Sequence, residues 1–174
     1  YREVFTNHIQ QHNGRLVDSP GDNLLAEFVS VVDAVKCAVA VQKEVNERND
    51  KLPEDRRMRF RIGINIGDVI ENEKQIYGDG VNLAARIETM AEPGEVFISR
   101  LVYNQVRSKL KFGYEYKGVH SVKNIAKPIR VYRVLTAPED AGRIIGEGKL
   151  KKWPIAIVSV VVMLILFTGG GGFT

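Results

Sequence analysis

Asn82 and Arg86 stand four residues apart in the stretch Gln75-Ile76-Tyr77-Gly78-Asp79-Gly80-Val81-Asn82-Leu83-Ala84-Ala85-Arg86. On a helix that spacing puts both side chains on one face. An amide beside a guanidinium can orient a sugar oxygen and neutralise charge developing on a phosphate. The same pair also reads as an ordinary solvated polar stripe, and the spacing alone does not choose between the two. Asp22 is the second candidate, at the tip of a predicted hairpin, where a carboxylate could reach a divalent metal and triphosphate oxygens. Taken alone, Asp22-Asn23 has a purely conformational explanation, because Asp and Asn populate turns through hydrogen bonds to their own backbone.

These residues need elements to hold them. Val4, Phe5 and Ile9 recur at helical spacing between Tyr1 and Gln11, and Asn13-Gly14 supplies a stop. Arg15 to Asp18 and Leu24 to Phe28 flank Ser19-Pro20-Gly21-Asp22-Asn23, a run of turn formers, so the pattern predicts a β-hairpin. Ser30 with Asp33 resembles a capping box, and Val31, Val35, Ala38, Val41 and Val45 mark one face of a helix ending at Asn49-Asp50. From Met58 to Ile70, the residues Met58, Phe60, Ile62, Ile64 and Ile66 alternate with Arg59, Arg61, Gly63 and Asn65, which predicts a strand with one buried face. A helix over about Gly80 to Met90 follows, then a short strand at Val96 to Ser99, a short helix at Leu101 to Val106, and two strands ending near Leu135. This order predicts an α+β sandwich of one sheet with helices on a face.

The composition bounds the remaining possibilities. The chain has 174 residues, 44% hydrophobic and 26% charged, with one cysteine and a net charge of +4, which suits a globular domain plus an appendage. Basic and acidic residues are interspersed, so no nucleic-acid footprint is expected, and Arg56, Arg57, Arg59 and Arg61 read as a solvated loop and strand face. Cys37 sits among valines and alanines and reads as a small buried hydrophobe. Beginning at Tyr1 without a leader pattern, the chain is expected to be a fragment. Residues 136–152 gain Pro138, Gly142, Gly146, Gly148, Lys149, Lys151 and Lys152 and read as a linker. Residues 153–174 carry no charge, and Ile155 to Phe167 is strongly apolar, so a transmembrane segment is expected. The preceding lysines would then set the globular domain on the cytoplasmic side of the membrane.

Several motifs now converge. Val17 to Phe28 (VDSPGDNLLAEF), Arg61 to Val69 (RIGINIGDV) and Tyr77 to Arg86 (YGDGVNLAAR) resemble the class III adenylate and guanylate cyclase catalytic domain. The resemblance continues through Glu92-Pro93-Gly94-Glu95-Val96 and Val122-Lys123-Asn124-Ile125 to about Leu135, roughly three quarters of the chain. It implies a ferredoxin-like βαββαβ nucleotide cyclase fold over residues 1–135, here lacking the first strand. It also implies a head-to-tail homodimer with active sites in the cleft. The implied reaction is attack of the ribose 3′-hydroxyl on the α-phosphate, giving a 3′,5′-cyclic monophosphate and pyrophosphate with two Mg²⁺ or Mn²⁺ ions.

The resemblance also assigns roles. Asp22 matches the second of two metal-binding aspartates; the first belongs to a strand before the opening helix, absent from this chain. Asn82 matches the asparagine that orients the ribose, and Arg86 the arginine that stabilises the transition state. Lys123 corresponds to a lysine contacting the triphosphate, within a loop that varies. Asp18 and Gln75 occupy the positions that read the purine, where the usual adenylate cyclase pattern has a lysine and an aspartate or threonine. An acceptor-only Asp18 suits the donors of guanine, whereas Gln75 serves either base. ATP is the expected substrate, with GTP as the alternative, and a degenerate cyclase-like domain that binds nucleotide without turnover is the reading from a different class.

Overall fold

The structure is a computed structural model that describes residues 1–18, 23–68, 70–72, 75–121 and 128–146. Helix α1 (Arg2–Gln11) buries Val4, Phe5 and Ile9 and stops where Asn13 turns into the left-handed region at φ 59°. Strands β1 (Gly14–Asp18) and β2 (Leu25–Phe28) form the expected antiparallel hairpin, with an irregularity between Leu16 and Asp18 that brings Asp18 opposite Leu25. Helix α2 (Val31–Asn49) begins where the Ser30 hydroxyl accepts the Asp33 N–H at 3.2 Å, satisfying one of the open donors of the first turn. Its buried side includes Ala34, Val35, Ala38, Val41 and Val45, and Cys37 is buried with them. That burial pushes the Cys37 thiol up to about 12. Between the first two helices, His8 Nε2 meets Glu44 Oε2 at 2.7 Å, and Arg48 donates to the other carboxylate oxygen at 2.8 Å.

The main sheet comprises β3 (Ile62–Ile64), β6 (Val96–Ser99), β7 (Gly113–His120), β8 (Ile129–Leu135) and β9 (Ile144–Ile145), in the order β3-β6-β8-β7-β9. The β3/β6 and β7/β9 pairs are parallel and the others antiparallel. Strand β9 falls in the stretch whose composition reads as a linker. Two short strands, β4 (Ile70–Asn72) and β5 (Gln75–Tyr77), make a second separate hairpin. The described strands therefore form three sheets rather than the single one expected.

Alternation along the strands assigns two faces. Ile62, Ile64, Val96, Ile98, Tyr132 and Val134 join α1, α2 and α4 (Arg100–Val106) in one apolar core, which also takes in Ala26 and Phe28 of the hairpin. There the Tyr103 and Tyr132 rings stack at 4.0 Å between centroids. The opposite face, through Phe97 and Val131, packs against Ile87 and Ala91 at the end of helix α3 (Asp79–Met90). Helices thus cover both faces of the sheet, not one.

The region read as a long strand from Met58 to Ile70 is corrected in two respects. Only Ile62–Ile64 pairs within the main sheet, and Met58, placed on the inner face by alternation, is 41% exposed. Gly63 and Asn65, expected to face solvent, are buried, because α3 lies directly over them.

The membrane placement is also corrected. Among the described residues no helix is long and apolar enough to cross a membrane. The longest, α2, has 19 residues but carries Asp33, Lys36, Lys43, Glu44, Glu47 and Arg48, charges that are costly in hydrocarbon. Residues 153–174, on which that expectation rested, lie outside the described residues. Their most apolar stretch, Ile155 to Phe167, is 13 residues long and includes Ser159, short of the roughly 20 that a bilayer core demands.

Candidate active site

Helix α3 is held so closely that at two glycines no side chain separates it from the chain beneath. A Cβ added to Gly63 would lie 2.5 Å from both the Ala84 carbonyl oxygen and the Glu88 nitrogen. One added to Gly67 would lie 2.6 Å from the Cα of Gly80. The chain leading through β3 and the helix therefore meet backbone to backbone at two places, which sets how high α3 stands. Between these glycines, the buried Asn65 donates from Nδ2 to the Gly80 carbonyl at 3.2 Å. The chain enters the helix through Gly78 at φ 142°, a conformation that side chains resist, and the Gly78 carbonyl accepts the Asn82 N–H at 3.1 Å.

Burial around α3 sorts its residues. Gly80, Ala84, Ile87 and Glu88 are buried, whereas Asp79, Asn82, Arg86 and Thr89 are exposed along the opposite side. Asn82 and Arg86 are thus brought together on an open face, as the spacing of four predicts, with nothing over them among the described residues. A third side of the helix, through Val81, Ala84 and Ala85, packs against Val17 and Leu25 of the first hairpin. The small alanines allow this approach.

The remaining predicted site residues stand as follows. Asp18 ends β1 and Gln75 begins β5, and these two strands lie against one another. The two positions assigned to purine reading thus come from neighbouring elements. Asp22, in the β1–β2 connection, and Lys123, between β7 and β8, lie outside the described residues. Among the described residues no group of three or more His, Cys, Asp or Glu side chains is placed to hold a metal ion. A hollow of about 630 Å³ bordered by Gln42, Lys43, Glu95 and Arg133 contains none of the candidate residues. The polar pair on α3 lies on an open surface.

Sequence reasoning missed the seam under α3. Its signal was present in Gly63-Ile64-Asn65-Ile66-Gly67, where one face of the strand alternates glycine, a short amide and glycine. Polar and small residues at period two suggest solvent, but glycines at that period also permit a close backbone approach.

The fold is an α+β domain that presents an amide and a guanidinium from one helix, packed against the first hairpin. The chain belongs to the adenylate and guanylate cyclase catalytic domain family, whose model matches residues 3–136. It is 39% identical over 143 residues to a putative adenylate cyclase 3 from Rhizobium meliloti, covering 82% of this chain and 24% of that protein. It is 28% identical over 132 residues to an adenylate cyclase from Glutamicibacter nicotianae, covering 76% of this chain and 31% of that one. This chain therefore spans about a quarter to a third of the length of these relatives. Among solved structures, an adenylate/guanylate cyclase/hydrolase from Silicibacter pomeroyi superposes with a TM-score of 0.74 at 36% identity, covering 78% of this chain and 79% of that one. The adenylyl cyclase CyaB from P. aeruginosa shares the fold, with a TM-score of 0.64 at 23% identity over 80% and 81% of the two chains.

Proposed function

We propose that this chain is the catalytic domain of a nucleotide cyclase that converts ATP to 3′,5′-cyclic AMP and pyrophosphate. The observation that carries the reading is the pairing of Asn82 and Arg86 on the open face of a helix locked to the sheet by glycine contacts. The 3′-hydroxyl of the ribose gives up its proton to water as its oxygen forms a bond to the α-phosphorus, the bond from that phosphorus to the bridging oxygen breaks, and pyrophosphate leaves. Asn82 holds the ribose so that its 3′-oxygen lies in line with the leaving group. Arg86 offers positive charge where negative charge gathers on the α-phosphate, fixed in advance so that little reorganisation is needed during reaction. Lys123 neutralises charge on the departing phosphates.

Two divalent cations, Mg²⁺ or Mn²⁺, complete the site in this reading. Asp22 offers the hard oxygen donor they need, and one or two carboxylates together with substrate phosphates are a common ligand set for Mg²⁺. Bound there, the cations would supply charge neutralisation on the triphosphate and acidify the attacking hydroxyl. In this reading Asp22 is the second of the two metal-binding aspartates that the family resemblance implies, and residues 1–135 form the catalytic unit ahead of the stretch 136–152. Because Asn82 and Arg86 are exposed on α3, a second copy completes the site in this reading, as a homodimer. Asp18 favours GTP as the alternative substrate, since a carboxylate accepts from the N1–H and amino group of guanine.

The test is to incubate the intact protein with ATP or with GTP and Mn²⁺, then identify the products by mass. Cyclic AMP supports the reading and cyclic GMP transfers it to guanine. No cyclic product from a folded dimer moves the protein to a nucleotide-binding signalling role.

A further inference from the structure

We infer that Asn65 is a positioning residue for the cyclisation: it sets the first turn of α3, and through that turn the reach of Asn82 and Arg86. This rests on the roles proposed above for those two residues. Asn65 is 1% exposed, yet it faces a seam otherwise lined by glycine and backbone. Its Nδ2 donates to Gly80 O, which fixes the orientation of the amide and leaves Oδ1 buried without a partner among the described residues. A buried amide that satisfies only its donor is unfavourable compared with an aliphatic side chain of similar size. Its contribution is therefore the single bond it makes, and that bond ends on the helix turn that carries Asn82.

The location gives the bond leverage. Gly67 already touches Gly80 from below, so height above the strand is set by sterics, which do not resist rotation or sliding of a glycine turn. The amide of Asn65 supplies the directional restraint that two facing glycines lack. Asn82 is two residues beyond Gly80, and its own N–H is bonded to Gly78, so a shift of this turn moves the Asn82 side chain directly. Arg86, one turn further along, follows as the helix tilts. Misplacement of about 1 Å at a reacting centre can cost on the order of 100-fold in rate.

The experiment uses the full-length protein with Asn65→Ala, Asn65→His, Arg86→Ala and the double variant Asn65→Ala/Arg86→Ala, measuring cyclic nucleotide by mass at varied ATP. Asn65→Ala is expected to lower kcat by roughly 10- to 100-fold with a much smaller change in KM. Asn65→His should recover most of the loss, because imidazole Nδ1–H can reach the same carbonyl. In the Arg86→Ala background, Asn65→Ala should cost distinctly less than in the unaltered protein, because only its effect through Asn82 remains and residues that act as a unit are non-additive. Losses that multiply in full in that background, or a histidine variant no better than alanine, would mean that Asn65 serves only general stability and would overturn the inference. A second readout stands apart from catalysis: hydrogen exchange of the amides at Gly80 to Ala84 should rise in Asn65→Ala while exchange in α2 stays constant. Unchanged exchange at that turn overturns the positioning role. If instead Arg86→Ala leaves turnover intact, the proposed catalytic role of α3 fails, and exchange at this turn still decides what Asn65 does.

Discussion

On the side of β3 that meets α2, Ile62 and Ile64 interlock with Val35, Ala38 and Val41 in a continuous apolar core. On the side that meets α3, Gly63 and Gly67 leave strand and helix backbone in direct contact, with Asn65 bonded across the seam. One strand thus serves two neighbours under different rules. Branched side chains fill volume and can repack when altered, so the α2 side tolerates change by degrees. Backbone against backbone has no rotamers to adjust, so the α3 side holds one arrangement or loses it. The helix on the unforgiving side is the one that presents Asn82 and Arg86.

The sharpest way to separate the two sides is functional. Arg86→Ala should reduce turnover by about 100- to 1,000-fold, measured as cyclic product per mole of protein, with thermal stability unchanged because the side chain is exposed. A normal rate would remove α3 from the chemistry. Next in size, Gly63→Ala should destabilise the fold by about 3 kcal/mol, since the new methyl meets the helix backbone at Ala84 and Glu88. Denaturant unfolding measures it, and a loss below about 1 kcal/mol would show that the seam can yield after all. On the other side of the strand, Ile64→Val removes one methylene from the core and should cost about 1 kcal/mol, leaving kcat where it was. If kcat fell as far as in Asn65→Ala, the separation of the two sides would be wrong.

The smallest effect lies farthest from α3. Hydrogen bonds from His8 first and Arg48 second hold the Glu44 carboxyl below its ordinary value of 4.5. A carboxyl with a depressed folded pKa adds stability above the unfolded value, and that contribution disappears as pH falls through the folded one. Glu44→Gln should therefore lower Tm by only a few degrees near pH 7, as expected for a largely solvated pair. The difference from the unaltered protein should close as the pH drops below 4.5. A gap independent of pH would assign the loss to packing instead of charge.

What was legible in the sequence follows from how local the signals are. The spacing of Val31, Val35, Ala38, Val41 and Val45 defines α2 because a helix repeats within a few residues, and the spacing of Asn82 and Arg86 places both on one face for the same reason. The hairpin around Asp22 was marked by its own turn formers. The second buried face of β3 was not legible, since Gly63, Asn65 and Gly67 look like a solvent side until a helix distant in sequence is laid over them. Strands β4, β5 and β9 are two or three residues long and have no room to display a period. Met58 continued the alternation of the strand into a stretch whose backbone bonds the Asn49 side chain instead of a neighbouring strand.

Cys37, the single cysteine among 174 residues, lies on the buried side of α2, and burial holds its thiol well above the ordinary cysteine range. To maleimides and other reagents that need a thiolate, the folded domain is therefore a blank background. A cysteine introduced at exposed Leu101 or Val29 would be the one addressable thiol, and a spin label or fluorophore placed there would follow association between copies without a cysteine-free variant having to be made first.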